Sequence, residues 1–230
     1  MTNSPVTGGA RIAIMLIPLA LAGCIGASEP QRAEAPQARS PLPSVAARPA
    51  YQPSLTPNQC FAELKAADVR FSPLNDRSEE GGCKTIDTIK LLDFGTPTTN
   101  LGAMTCPLAK NFAAWARYAV LPAARVYLGA EVVKIETMGS YSCRNIYGGR
   151  SGRLSQHAFA NAVDVSAFIL ADGRRISLEK DWSGSAKERA FLHALHTSAC
   201  RRFGTVLGPD YNAAHYNHFH FDMSGNGYCR

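Results

Sequence analysis

Residues 215–222 read HYNHFHFD, and the alternation from residue 218 onward restricts the fold more than any other stretch of the chain. Successive side chains on a strand point to opposite faces, so His218, His220 and Asp222 share one side while Phe219 and Phe221 share the other. The segment YNHFHFDM therefore predicts a strand whose rings are buried against a core. Its polar face presents the imidazoles for chemistry.

A second group lies upstream in SQHAFANAVDVSAF, where His157 and Asp164 stand seven residues apart as the chain passes from a loop into a strand. An imidazole at the loop's end and a carboxylate on the strand can converge from one side, with a histidine of the later strand arriving from the other. Two histidines and one carboxylate make a catalytic zinc shell whose fourth position is left for water, whereas a structural site is closed by four protein ligands. HExxH is absent, which excludes a thermolysin-like helix as the source of ligands. His193 and His196 sit beside the apolar stripe of a predicted helix and read as boundary residues. Trp115 and Trp182 read as packing anchors.

Elsewhere, CFAELKAADV (60–69) suits a short helix. TCPLAKNFAAWARYAV has Thr105 as a cap, Pro107 in its first turn and Leu108, Phe112, Trp115 and Ala119 along one stripe. Pro122 is expected to reopen a short helix that Gly129 closes. Ser185 and Glu188 have capping-box spacing ahead of the stripe Phe191, Leu195, Ala199 and Phe203. Strands are predicted over TIDTIKLLDF (85–94) and EVVKIETM (131–138), and AVDVSAFIL and ISLEK form a hairpin turning at Asp172 and Gly173. Helices and strands mix without a regular βαβ alternation, which indicates an α+β domain with a small antiparallel sheet flanked by helices.

The N-terminal part reads differently. Arg11 precedes the apolar run IAIMLIPLALAG, which is signal-peptide anatomy and short for a membrane span. Its end, LAGC, matches the lipobox of bacterial lipoproteins, so residues 1–23 are expected to be a signal peptide and Cys24 to carry the lipid anchor; the alternative is an ordinary signal peptide with a fortuitous cysteine. Ile25 after that cysteine points, by the enterobacterial sorting rule, to the outer membrane on its periplasmic side. Between Ile25 and Pro57 lie seven of the chain's 14 prolines and few large apolar residues. Residues 24–57 are thus expected to form a disordered tether, and 58–230 the folded domain.

A formal net charge of +6 over 230 residues favours an anionic partner. No nucleic-acid motif accompanies it, and the charge alone suits a membrane surface as well as a wall polymer; the protein itself is expected to be a monomer. Beyond Cys24 six cysteines remain, an even number suited to disulfides in an exported chain. Fifteen pairings are possible; the expected ones are Cys60 with Cys83, Cys106 with Cys143, and Cys200 with Cys229. No CxxC pair exists, which disfavours a cysteine-ligated zinc.

Taken together, the histidine and aspartate positions form a pattern. SxHxxGxAxD followed much later by HxH resembles the zinc peptidase superfamily of D-Ala-D-Ala carboxypeptidases and dipeptidases and the penicillin-insensitive murein endopeptidase; here it reads Ser155, His157, Ala162 and Asp164, then His218 and His220. The chain is more closely similar to the bacterial extensin-like C-terminal domain family, through YSCR (141–144), LSQHAFANAVDVSAF (154–168), CRRFGTVLGPDYNAAH (200–215) and HFHFD (218–222). That resemblance implies a D-Ala-D-Ala carboxypeptidase/hedgehog-like fold and one zinc ion held by His157, Asp164 and His220. His218 would face the water or substrate, and His215 would be a further active-site histidine. Arg144 would serve a peptide carboxylate or the developing oxyanion, while Ser155 and Asp222 would support the ligands.

Two departures follow. The superfamily glycine is Ala160, which is tolerated if its φ is negative. NAAHYNHFH contains no glutamate, so the general base is either His218 or His215. The expected function is a zinc-dependent peptidase or amidase acting on peptidoglycan stem peptides. The alternative is a non-catalytic, zinc-retaining wall-binding or envelope-scaffold lipoprotein.

Overall fold

The computed structural model describes residues 56–149, 151–225 and 227–230; the predicted signal peptide, Cys24 and nearly all of the tether lie outside the described residues. Thr56 and Gln59 form a capping box around the first turn of α1 (Pro57–Ala66), with Pro57 opening the helix. The helix therefore starts three residues before the sequence-predicted 60–69, and Asp68, at φ 56°, turns the chain after it ends.

From there the chain builds two small sheets. β1 (Arg70–Pro73) is followed by β2 (Arg77–Ser78), β3 (Lys84–Thr85), β4 (Thr88–Asp93) and β5 (Met104–Thr105). β1, β4 and β5 form a three-stranded antiparallel sheet, and β2 and β3 a separate ribbon. The strand expected over 85–94 divides because Asp87 adopts φ 50°, a left-handed conformation that interrupts the ladder.

α2 (Cys106–Trp115) follows directly, as its stripe and Pro107 require. It continues without a break through a π-helical stretch (Ala116–Val120), the single turn α3 (Leu121–Ala123) and a second π-helical stretch (Ala124–Leu128). The expected interruption at Pro122 is thus absent. Pro122 lacks an N–H and crowds the preceding turn, and the wider π turns on both sides accommodate it. Gly129, left-handed at φ 66°, closes the helix as expected.

The principal sheet comes last. β6 (Val132–Gly139) and β7 (Ala162–Leu170) pair over their length, and β8 (Arg175–Ser177) folds back on β7 across the expected turn. The end of the predicted hairpin is instead a helical turn, α4 (Leu178–Asp181), because the Ser177 side chain accepts from Lys180 N–H. α5 (Ala186–Cys200) opens with the predicted Ser185–Glu188 capping box. β9 (Thr205–Leu207), β10 (Phe219–Asp222) and β11 (Tyr228–Cys229) complete a six-stranded sheet of order β11-β9-β10-β7-β6, with β8 also on β7. Its pairs are antiparallel except β11 with β9. The fold is α+β with three sheets rather than the single small sheet expected.

The sheet's inner face packs on α2 and α5. Trp115, fully buried, meets Phe221 edge-on at 5.0 Å and donates its indole N–H to the Leu195 carbonyl at 3.2 Å. Phe203 lies past the end of α5 yet stacks on Phe221 at 4.7 Å. Trp182 packs on Phe219 and stacks with His193 at 3.9 Å, while His196 Nε2 meets the Arg230 carbonyl, so both tryptophans are anchors and both histidines boundary residues. Along its outer edge β6 bonds to residues 97–99: Ile135 N–H donates to the Pro97 carbonyl and Thr99 N–H to the Ile135 carbonyl.

Three disulfides are present: Cys60–Cys106, Cys83–Cys143 and Cys200–Cys229. The last was expected; the pairings Cys60–Cys83 and Cys106–Cys143 are corrected. α1 packs against α2, which sets Cys60 beside Cys106 at the latter's first residue. Cys83, ahead of β3, faces the loop after β6 and reaches Cys143. No helix among the described residues is long and apolar enough to cross a membrane.

Candidate metal centre

The antiparallel register of β7 and β10 places His220 directly opposite Asp164. Cross-strand partners are close neighbours, so a hydrogen bond between them follows from the pairing alone: His220 Nδ1 lies 2.9 Å from Asp164 Oδ1. His157 comes from a tight 3-10 turn (Gln156–Phe159) whose N-cap, Ser155, accepts from the His157 N–H at 3.3 Å. This turn brings His157 Nε2 to 3.1 Å from Asp164 Oδ2 and 3.2 Å from His220 Nδ1.

These three donors form one compact group, all buried. Zinc bonds of about 2.0–2.1 Å in a tetrahedron imply donor separations of roughly 3.3–3.4 Å, close to those present. The remaining ring nitrogens are already engaged. His157 Nδ1 is 3.0 Å from the Ser140 carbonyl, an acceptor, so Nδ1 carries a proton and Nε2 is the nitrogen that faces Asp164 and His220. His220 Nε2 is 3.1 Å from Asp222 Oδ2, which in turn accepts from Ser224 N–H and Oγ through its other oxygen at 2.7 Å. Such outer contacts orient metal-binding imidazoles and fix their tautomers. The donor set fits zinc. A second group, His196 with Cys200 and Cys229, has its sulfurs joined in a disulfide.

The electrostatics agree with a site shaped for positive charge. Burial alone would raise the Asp164 pKa, but hydrogen bonds from His157 and His220 outweigh it and hold the carboxyl far below its usual range. Burial alone would lower His220, yet its bonds to Asp164 and Asp222 push it up to about 9. Burial and the neighbouring imidazoles His218 and His220 depress His215 to about 4. Burial also lowers His218, against the pull of Asp164. Two imidazoles whose burial disfavours the charged form thus stand beside a carboxylate-centred cluster.

His218 precedes β10 and aims Nε2 to 3.7 Å from Asp164 Oδ1. It is outside the group of mutually close donors. Its Nδ1 lies 2.9 Å from Asn217 Oδ1, and His215 Nδ1 lies 2.8 Å from Asn212 Oδ1. Arg144, half-buried, approaches Asp164 Oδ2 at 3.9 Å from the loop that the Cys83–Cys143 disulfide pins. All open onto a cleft of about 500 Å³ whose walls include Arg153, Met138, Ile146, Leu207 and Tyr211.

Every candidate residue of the folded domain therefore falls in one place, and two expectations change. The imidazole face of β10 is buried along with its ring face, because the loops carrying Arg144, His157 and His215 roof it. Ala160 is left-handed, at φ 51° and ψ 24°, so the position does call for the glycine conformation and alanine adopts it with strain. Sequence reasoning missed Ser140, Asn212 and Asn217. The first acts through its backbone and leaves no trace in residue type; Asn212 and Asn217 could have been found as amides within three positions of a histidine.

A family model described as the extensin-like protein C-terminus matches residues 58–230. No curated protein and no solved structure matches the chain.

Proposed function

The chain belongs to the extensin-like protein C-terminus family, and we propose that this domain is a zinc-dependent peptidase or amidase acting on peptidoglycan stem peptides. One observation carries the reading. Beside the three donors stand two further imidazoles, His215 and His218, and the half-buried Arg144 guanidinium, more than a site built only for stability requires. His157, Asp164 and His220 would hold zinc, which would supply Lewis-acid polarisation of the scissile carbonyl and acidification of water.

The chain's own residues perform the rest. His218 or His215 accepts a proton, His215 at Nε2 because its Nδ1 faces the Asn212 oxygen. Arg144 presents a fork of donors to the substrate carboxylate or to the oxyanion. Asp222 and Ser155 hold His220 and the His157 turn in place. The signal peptide of residues 1–23, lipid on Cys24 and the tether would keep this activity at the envelope, probed by mass spectrometry of the mature N-terminus.

A second reading, the zinc-retaining scaffold, draws support from the buried polar cluster, whose groups a bound cation would satisfy. Metal analysis with muropeptide digestion separates the two. His218→Ala should keep one zinc per chain and lose roughly 100-fold or more in kcat, whereas Asp164→Ala should lose the metal as well. A wild-type protein loaded with zinc that leaves all muropeptides uncut would favour the scaffold.

A further inference from the structure

His215 and His218 are equivalent in sequence terms as proton acceptors, but their surroundings are not equally determined. Asn212 Oδ1 receives two contacts, from Ala214 N–H at 3.0 Å and from His215 Nδ1 at 2.8 Å. A backbone N–H can only donate, so the atom it meets must be the amide oxygen and the Asn212 side chain cannot be flipped. An oxygen facing Nδ1 requires Nδ1 to carry a proton. In its neutral form His215 is thereby left with a bare Nε2. Among the described residues no second donor meets Asn217 Oδ1 to orient the amide, so the His218 tautomer is not fixed in the same way.

Resting on the hydrolase reading, we infer that Asn212 is a positioning residue: it locks His215 in the Nδ1–H form and so turns a permanent acceptor nitrogen toward the cleft. The side chain does this while capping the short 3-10 turn (Ala213–His215) on which His215 sits. One amide oxygen sets both the ring's place and its protonation pattern. Tyr211, ring to ring with His215 at 5.4 Å, borders the other side.

The test reads the tautomer apart from turnover. The full chain, labelled with 15N-histidine and supplied with zinc, is compared with N212S and N212D by imidazole 15N shifts, with H215Q to assign the signals. Serine keeps the cap, but its hydroxyl both donates and accepts and cannot impose a tautomer. Aspartate keeps the cap and an obligate acceptor. The wild type should show Nδ1–H at His215, N212S should shift toward Nε2–H, and N212D should restore the original pattern. In muropeptide assays N212S should lower kcat about 10-fold with KM changed less than twofold. An Nε2–H ring in the wild type, or a signal that N212S leaves unmoved, overturns the inference. Nδ1–H at His215 in a protein that cuts nothing upholds the lock and overturns the hydrolase reading instead.

Discussion

β10 is buried on both faces, and the two faces are held by opposite physics. On one, Phe219 and Phe221 join Trp115, Trp182 and Phe203 in aromatic contacts that need no partner of a particular charge. On the other, His220 and Asp222 with their neighbour His218 are also buried, at the floor of the cleft, and burial of such groups is costly unless each finds a partner. The first face stabilises the fold and makes it rigid. The second holds a charge cluster in readiness, and the contrast explains how four residues can anchor a domain and arm a site together.

The comparison can be broken most sharply on the aromatic face. Phe221→Ala should destabilise the domain by about 3–5 kcal/mol in urea or thermal unfolding. A loss below about 1 kcal/mol would show that the rings do not support the strand. On the polar face the effect should depend on pH. After chelation, the folded His220 pKa of about 9 lies above the ordinary histidine value near 6.5. Its contribution is then fully present below about pH 6.5 and is lost as pH rises through about 9, a decline on the order of 3 kcal/mol. Zinc commits that nitrogen and should flatten the profile, so identical curves with and without chelator would detach His220 from the metal. The smallest change belongs to the turn beneath the site. Ala160→Gly should stabilise by about 0.5–1 kcal/mol, because glycine adopts the left-handed conformation without a Cβ penalty; a destabilised variant would mean that the alanine methyl packs better than its backbone suffers.

How far the sequence could be read follows from the same division. Alternation in HFHFD identified β10 and its two faces because a period of two is a local property. The Ser185–Glu188 box and the stripe of α2 were legible for the same reason. Nothing local in Cys60 or Cys83 distinguishes their partners, since the docking of α1 on α2 decides them. β9 and β11, three and two residues long, exist through pairing with β10 and with each other rather than through a pattern of their own. The roof over the imidazoles was invisible because loop paths are set by distant anchors such as Cys143 and Ser140. The three proposed ligands nonetheless emerged from spacing and resemblance; the β7–β10 register brings His220 to Asp164, and the 3-10 turn brings His157 to both.

One further consequence lies at the margins of the main sheet. β11 is a two-residue strand pinned by Cys229 to α5, and β6 is flanked along its outer side by residues 97–99. Neither border leaves a long open ladder on which another polypeptide could zip itself, a protection against self-association through strand addition. Such blunt margins favour solubility without adding a single charge.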